Sequence, residues 1–273
     1  MTKHSDEPAI SQPKRADFLR NPFRAPKPRM EGLTHVLDKG MPLAQLRSHT
    51  RSVAAFIDIW KFGWGTAYLD PEVAEKIVEL KGHNIRACTG GTLLEIAWMQ
   101  ERVTDFFDWA ESVGFTTIEV SNGATSMASD VKRSLITQAS ERNFEVLAEV
   151  GSKDPSQIAS PAQWTEEICA DFAAGASLVV AEGRESGTVG IYEPDGNVRV
   201  DIIDAIEQLN ERGRIIYEAP GRAQQAWLIR RIGPNVSMGN IVLSEVMSVE
   251  SLRLGLRADT IGIASPARSS TWP

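Results

Sequence analysis

Short apolar runs alternate along this chain with stretches of helical periodicity, and several of the runs end in a charge. From Thr34 onward, Val36-Leu37 and Phe56 to Trp60 read as strands. Asp70 is placed to cap a helix with Pro71 at its first position, and Val73, Ile77 and Leu80 share a face before an end near Gly82. The strand Ile85 to Cys88 precedes Gly90-Gly91 and a helical stretch in which Val103, Phe106, Phe107, Ala110 and Val113 align before Gly114. Thr117 to Val120 reads as a strand, Ser129 caps a helix carrying Val131, Leu135 and Ala139, and Phe144 to Val150 is a strand again. Ser160-Pro161 opens a helix with Trp164, Ile168 and Phe172 inward and Gly175 at its end, leading to Leu178 to Ala181. Ile202, Ile206 and Leu209 before Gly213, the strand Arg214 to Glu218, a helix around Trp227 to Ile232, the strand Val236 to Ile241 and a helix through Leu252 and Leu256 complete the series.

About eight parallel strands with intervening helices predict a TIM-type (β/α)8 barrel, complete or incomplete, as a single domain over residues 31–273. A doubly wound open sheet is the competing fold. Residues 1–30, with Ser, Pro, Lys, Asp and Arg and no long apolar stretch, are expected to be a flexible tail, docking on a neighbouring subunit through Phe18, Leu19 and Phe23. That segment also reads as neither a signal peptide nor a membrane anchor.

Five runs end in a carboxylate, at Asp38, Glu119, Glu149, Glu182 and Glu218. A buried parallel strand stays apolar until it reaches the rim of the sheet, so acids repeated there are expected to converge on one site. The composition, 42% hydrophobic and 24% charged over 273 residues, is globular. A formal net charge of -7 argues against nucleic acid as a partner, because neutralising phosphates needs a dense basic surface. Small anions stay open as ligands, since a few inward cations outweigh net charge at short range. Cys88 and Cys169 lack zinc or disulfide spacing and read as reduced core thiols of a cytoplasmic protein. His35, on a strand, and His49 and His83, in helix or turn positions, read as ordinary packing or surface residues.

Lys61-Phe62-Gly63-Trp64-Gly65-Thr66 places a cation and two glycines at the rim of the second strand, either to meet an anion or to form a tight turn with Lys61 paired to an acid. Gly90-Gly91-Thr92 before a helix is similar to a phosphate cradle, although such a turn serves geometry alone more often. Glu182-Gly183-Arg184-Glu185-Ser186-Gly187 is more specific: charges directly after a buried strand are costly unless paired with one another or with a ligand, and Arg184 can clamp an oxyanion in bidentate fashion. Hard divalent cations prefer carboxylate oxygen, which makes Glu149, Glu182 and Glu218 the metal candidates, with Asp38 and Glu119 as alternates.

These segments, together with Leu37-Asp38-Lys39-Gly40, Glu149-Val150-Gly151, Glu218-Ala219-Pro220 with Gln224-Gln225, and Leu254-Gly255-Leu256-Arg257 with Asp259-Thr260, resemble the phosphosulfolactate synthase family of coenzyme M biosynthesis from about Gly32 to Ile261. The resemblance implies a barrel, a homotrimer, Mg2+ dependence, and addition of sulfite to phosphoenolpyruvate. It implies magnesium on Glu149, Glu182 or Glu218, with Lys61 or Lys153 as proton donor. Arg184, Lys39 and the Gly90-Gly91 backbone would hold phosphate and sulfite, in a site that also includes Thr92, Ser121, Asn122, Gly183 and Ser186. The chain departs from the family pattern at Asn122, where the archaeal members have Asp, at Ser152 before Lys153, where two lysines are usual, and at Ser237, where an Asn is found. Those departures bear on substrate identity more than on fold. Two rival classes are an aldolase with Lys61 as a Schiff base and a noncatalytic, stress-related relative.

Overall fold

Eight short parallel strands close into a barrel in simple chain order, β1 to β8, in the computed structural model, which describes residues 18–151 and 159–263. They are β1 Thr34–Asp38, β2 Ile59–Phe62, β3 Arg86–Thr89, β4 Thr117–Val120, β5 Glu145–Val150, β6 Leu178–Ala181, β7 Ile215–Glu218 and β8 Ser237–Val242. The closing pair, β1 with β8, is parallel like the others, so the barrel is complete and no strand edge is left open.

The apolar residues sort by the two-residue period of a strand. On β5, Val146, Ala148 and Val150 belong to the large outer core between strands and helices, whereas Leu147 belongs to a separate inner cluster with Leu33, Ile59, Cys88, Leu178, Val180 and Ile216. That cluster fills the barrel. Two residues further along the same inward rows come Lys61, Glu149, Glu182 and Glu218. The charges that end the strands therefore share a layer directly above the apolar plug.

Most helix signals hold. Ser160 forms a capping box with Gln163 at the start of Pro161–Ala173, and Gly114 closes Val103–Val113 at φ +98. Three differ. Asp70 is not a cap: the helix begins at Val73, and Asp70 instead accepts from the Glu72 N–H and pairs with buried Lys76. Ser129 is the first helical residue, behind an Ala128 cap. The second strand starts at Ile59, because Ala54–Phe56 coils into a 3-10 turn, and this draws Lys61 into the strand itself. Cys169 is exposed, unlike the buried Cys88; both are free thiols.

Part of the segment expected as a tail is fastened to the floor of the barrel. Arg24 pairs with Glu250 at 3.1 Å and Arg29 with Asp58 at 2.9 Å, all four side chains almost fully enclosed. The Lys27 ammonium donates to the carbonyls of Ala54, Ile57 and His83. Phe18 and Phe23 are exposed.

Candidate active site

The carboxyl ends of the strands surround a cavity of about 530 Å³ lined by Lys61, Glu119, Glu149, Glu182, Arg184 and Glu218 among others. Lys61 is its electrostatic centre. Its Nζ donates to Glu119 Oε2 at 2.9 Å and approaches Glu218 Oε1 at 3.4 Å. Burial by itself would lower the pKa of this ammonium, but Glu119, Glu218 and Glu149 outweigh it and hold the pKa well above the usual lysine value. A Schiff base requires an uncharged amine near neutral pH, so this environment runs against the aldolase reading.

The acids are in turn fixed by backbone donors. Glu119 Oε1 accepts from the Gly91 N–H at 2.9 Å, Glu218 Oε2 from Gly183 N–H at 3.0 Å, and Glu182 Oε1 from Arg184 N–H at 2.6 Å. The Glu218 carbonyl accepts from the buried Tyr192 hydroxyl at 2.6 Å. On the outer side of β5, the Lys132 ammonium donates to the Glu149 carbonyl at 2.7 Å and pairs with Asp171. Both faces of these strands thus hold the layer of charge in register.

Of the five terminal acids, Asp38 does not converge. Leu37 holds the inward position on β1 and lines the cavity, while Asp38 accepts from Trp60 Nε1 at 3.0 Å and from the N–H groups of Gly40 and Met41. Its parity turns it outward, where it ties the loop after β1.

The remaining sequence candidates divide. Gly91, Thr92, Arg184 and Ser186 line the cavity. Arg184, at φ +56, is exposed at the mouth, and Ser186 shares a hydrogen bond with Thr188 there. Lys39 bridges to Glu185 at 2.6 Å and lies over the Trp64 ring, both partners half-exposed at the rim. The Gly91 and Gly183 N–H groups, expected to meet a ligand, are engaged by Glu119 and Glu218. Gly90 answers to close chain passage, since a Cβ there would lie 2.5 Å from Trp64 N and 2.8 Å from Phe62 O. Ser121 donates to buried Glu95 at 2.6 Å, and Asn122 Nδ2 donates to Met127 O at 3.1 Å; both shape the loop after β4. Lys153 lies outside the described residues.

His35 keeps the packing role read from the sequence, and Asn240 escaped that reading. His35 is fully enclosed inside the barrel, where burial and, next, the Lys61 charge push its pKa well below the usual histidine value, so it is a neutral imidazole. Asn240, on β8, lines the cavity although it is only 6% exposed. Neither stands out from its sequence neighbours, and only the inward parity of His35 signalled its place.

Five carboxylates and two cationic side chains line the cavity. Among the described residues, no group of three or more His, Cys, Asp or Glu is gathered closely enough to cage a metal ion. Magnesium does not need one, because it keeps several waters and takes one or two carboxylates plus substrate oxygens. Glu149 and Glu182, facing the cavity from adjacent strands, fit that donor set. No helix among the described residues is long and apolar enough to cross a membrane.

Comparison with known proteins identifies relatives of this chain. The chain is similar to phosphosulfolactate synthases of Methanothermobacter thermautotrophicus, 42% identical over 251 residues covering 90% of this chain and 97% of that one, and of Bacillus subtilis, 41% identical over 248 residues covering 89% and 98%. The Methanocaldococcus jannaschii enzyme is 36% identical over 254 residues, covering 90% and 98%. Among solved structures, a 3-hexulose-6-phosphate synthase aligns at TM-score 0.50 with 14% identity, over 81% of this chain and 98% of that one. The carboxyl transferase domain of Rhizobium etli pyruvate carboxylase aligns at 0.52 with 12% identity, over 79% and 40%. These two likenesses carry the fold alone. Residues 22–259 match the family described as (2R)-phospho-3-sulfolactate synthase (ComA), and with the relatives above this shows that the chain belongs to that family of enzymes.

Proposed function

We propose that the chain is a carbon–sulfur lyase that adds sulfite to phosphoenolpyruvate to give (2R)-phospho-3-sulfolactate. The observation that supports this best is the Lys61 ammonium, kept charged by Glu119 and Glu218 inside a cavity whose mouth carries Arg184. Sulfite sulfur attacks the methylene carbon, a C–S bond forms, and the π pair moves onto the middle carbon and its carboxylate. A proton must then reach the middle carbon. Lys61 would deliver it as general acid, with Lys153, outside the described residues, as the alternative donor, and solvent would restore the ammonium afterwards. Arg184, with Lys39 released from Glu185, grips the phosphate at the mouth.

Glu149 and Glu182 would hold a magnesium ion, which supplies positive charge to the substrate carboxylate as electrons arrive there. The excess of acids over cations among the lining residues supports that need, because two anionic substrates enter a cavity already rich in negative charge. A cytoplasmic homotrimer belongs to the same reading, and sedimentation velocity of the purified protein tests the trimer.

The deciding experiment incubates the protein with sulfite and phosphoenolpyruvate, with magnesium or with EDTA, and follows both phosphorus species by NMR. Magnesium-dependent, sulfite-dependent conversion is expected. Phosphoenolpyruvate left unchanged in every arm rejects the proposal.

A further inference from the structure

Opposite His35 the ladder between β1 and β8 is interrupted. Thr34 pairs with Met238 and Val36 with Ile241, so Gly239 and Asn240 together face one residue. Two residues opposing one is a β-bulge, a device that re-aims side chains at barrel rims. Here it turns Asn240 to φ +52, a conformation that asparagine tolerates better than most residues. The bulge is packed from within: a Cβ on Gly239 would lie 2.9 Å from His35 Nδ1 and 3.0 Å from Ile216 Cγ2. The imidazole thus takes the space that a side chain at position 239 would need.

The product of this arrangement is a buried carboxamide in the cavity wall. Asn240 is more than nine-tenths enclosed, and its Oδ1 is buried with no hydrogen-bond partner. Burying an amide group unpartnered costs free energy, and in a ligand cavity a bound ligand can supply the partner. A half-turn of the side-chain amide exchanges Oδ1 for its NH2, so the same buried position can present two N–H donors, and no charge, to an oxyanion that only accepts. Beside five carboxylates, a neutral donor can approach an oxyanion without bringing in another buried charge that needs desolvation. Lys61 is enclosed to a similar extent, at 5% against 6% exposed, while Arg184 and Ser186 are exposed at the mouth.

We propose that Asn240 is a substrate-contacting residue, its carboxamide hydrogen-bonded to the carboxylate of the bound enol phosphate at the enclosed end of the cavity. This rests on the sulfite and phosphoenolpyruvate reading. It assigns the phosphate to the cations of the mouth and the carboxylate, next to the carbon that takes the proton, to the level of Lys61 and Asn240.

Steady-state kinetics of Asn240→Gly and Asn240→Asp, each checked by thermal melting, test the assignment. Glycine accepts the positive φ and deletes the amide; aspartate keeps the shape but exchanges the donors for a charge. For Asn240→Gly, kcat/KM for phosphoenolpyruvate should fall about 10- to 100-fold, the loss expected for one hydrogen bond to a charged partner. For Asn240→Asp it should fall further; the glycine variant should melt close to the wild type, and the folded aspartate variant lower, because it adds a buried charge beside the carboxylates. A folded glycine or aspartate variant with wild-type kcat/KM overturns the assignment and leaves the reaction standing. A wild-type protein inactive toward both substrates removes the reaction and the assignment together.

Discussion

Replacing Lys61 by methionine keeps most of the side-chain volume and deletes the charge that two buried carboxylates share. With contacts of 2.9 and 3.4 Å, Coulomb's law at an effective dielectric of about 20 gives roughly 5 kcal/mol of attraction for each pair. Much of that offsets the cost of bringing three charges out of water, and removing one partner of a buried pair typically costs about 3–5 kcal/mol. Lys61→Met is therefore expected to lose about 3–5 kcal/mol at pH 7, read by urea unfolding. The pH dependence separates lost charge from lost packing. In the wild type, the folded pKa of Lys61 lies above its ordinary value of 10.5, so its contribution is fully present below that value and is lost only as pH rises through the folded pKa. In the variant, Glu119 and Glu218 are left buried without the ammonium they share, and the loss of stability at alkaline pH should be absent because the group that titrates there is gone. Sulfite addition should drop about 10²- to 10⁴-fold, the usual contribution of a positioned acid. A variant within about 1 kcal/mol of the wild type at pH 7, or one that loses stability above pH 10.5 as the wild type does, would refute the idea that the ammonium holds this site together.

His35→Gln should flatten the acid limb of the stability curve. The folded imidazole resists a proton that the unfolded chain accepts below about pH 6.5, so wild-type stability falls on acidification by up to about 1.4 kcal/mol per pH unit from this residue; equal slopes in the two proteins would count against it. Arg24→Ala leaves Glu250 buried without its guanidinium and should destabilise by about 3–5 kcal/mol in chemical denaturation, whereas a true tail residue would change nothing. Gly91→Ala puts a Cβ 2.3 Å from Ser121 Oγ and 3.2 Å from Glu119 Oε1. It should cost about 1–3 kcal/mol and lower activity by displacing Glu119, and unchanged stability and kinetics would show that this turn is slack.

The barrel was legible because its signals are local. Each strand is an apolar run of a few residues, each helix a periodicity of 3.6, and the breaks fall at glycine, proline and capping serine. The acids at strand ends were legible for the same reason, and counting parity from Leu147, Val180 and Ile216 places Glu149, Glu182 and Glu218 inward. The same count places Asp38 on the outer face, a distinction that its position at a strand end hides.

What the chain order could not determine was which partner each polar group would find across the barrel. Lys61 meets Glu119 and Glu218 from positions 58 and 157 residues away, and the Gly91 and Gly183 amides are taken by carboxylates from other strands. Arg24 and Glu250 stand 226 residues apart in the chain but close together at the barrel floor. Sequence alone established the eightfold alternation and the kinds of group at its rim, because periodicity and residue type belong to short segments. Tertiary structure alone decided the ion pairing around Lys61, the bulge that presents Asn240 and the anchoring of Arg24, because each depends on closure bringing distant segments within a few ångströms in an interior where an unpaired polar group is costly.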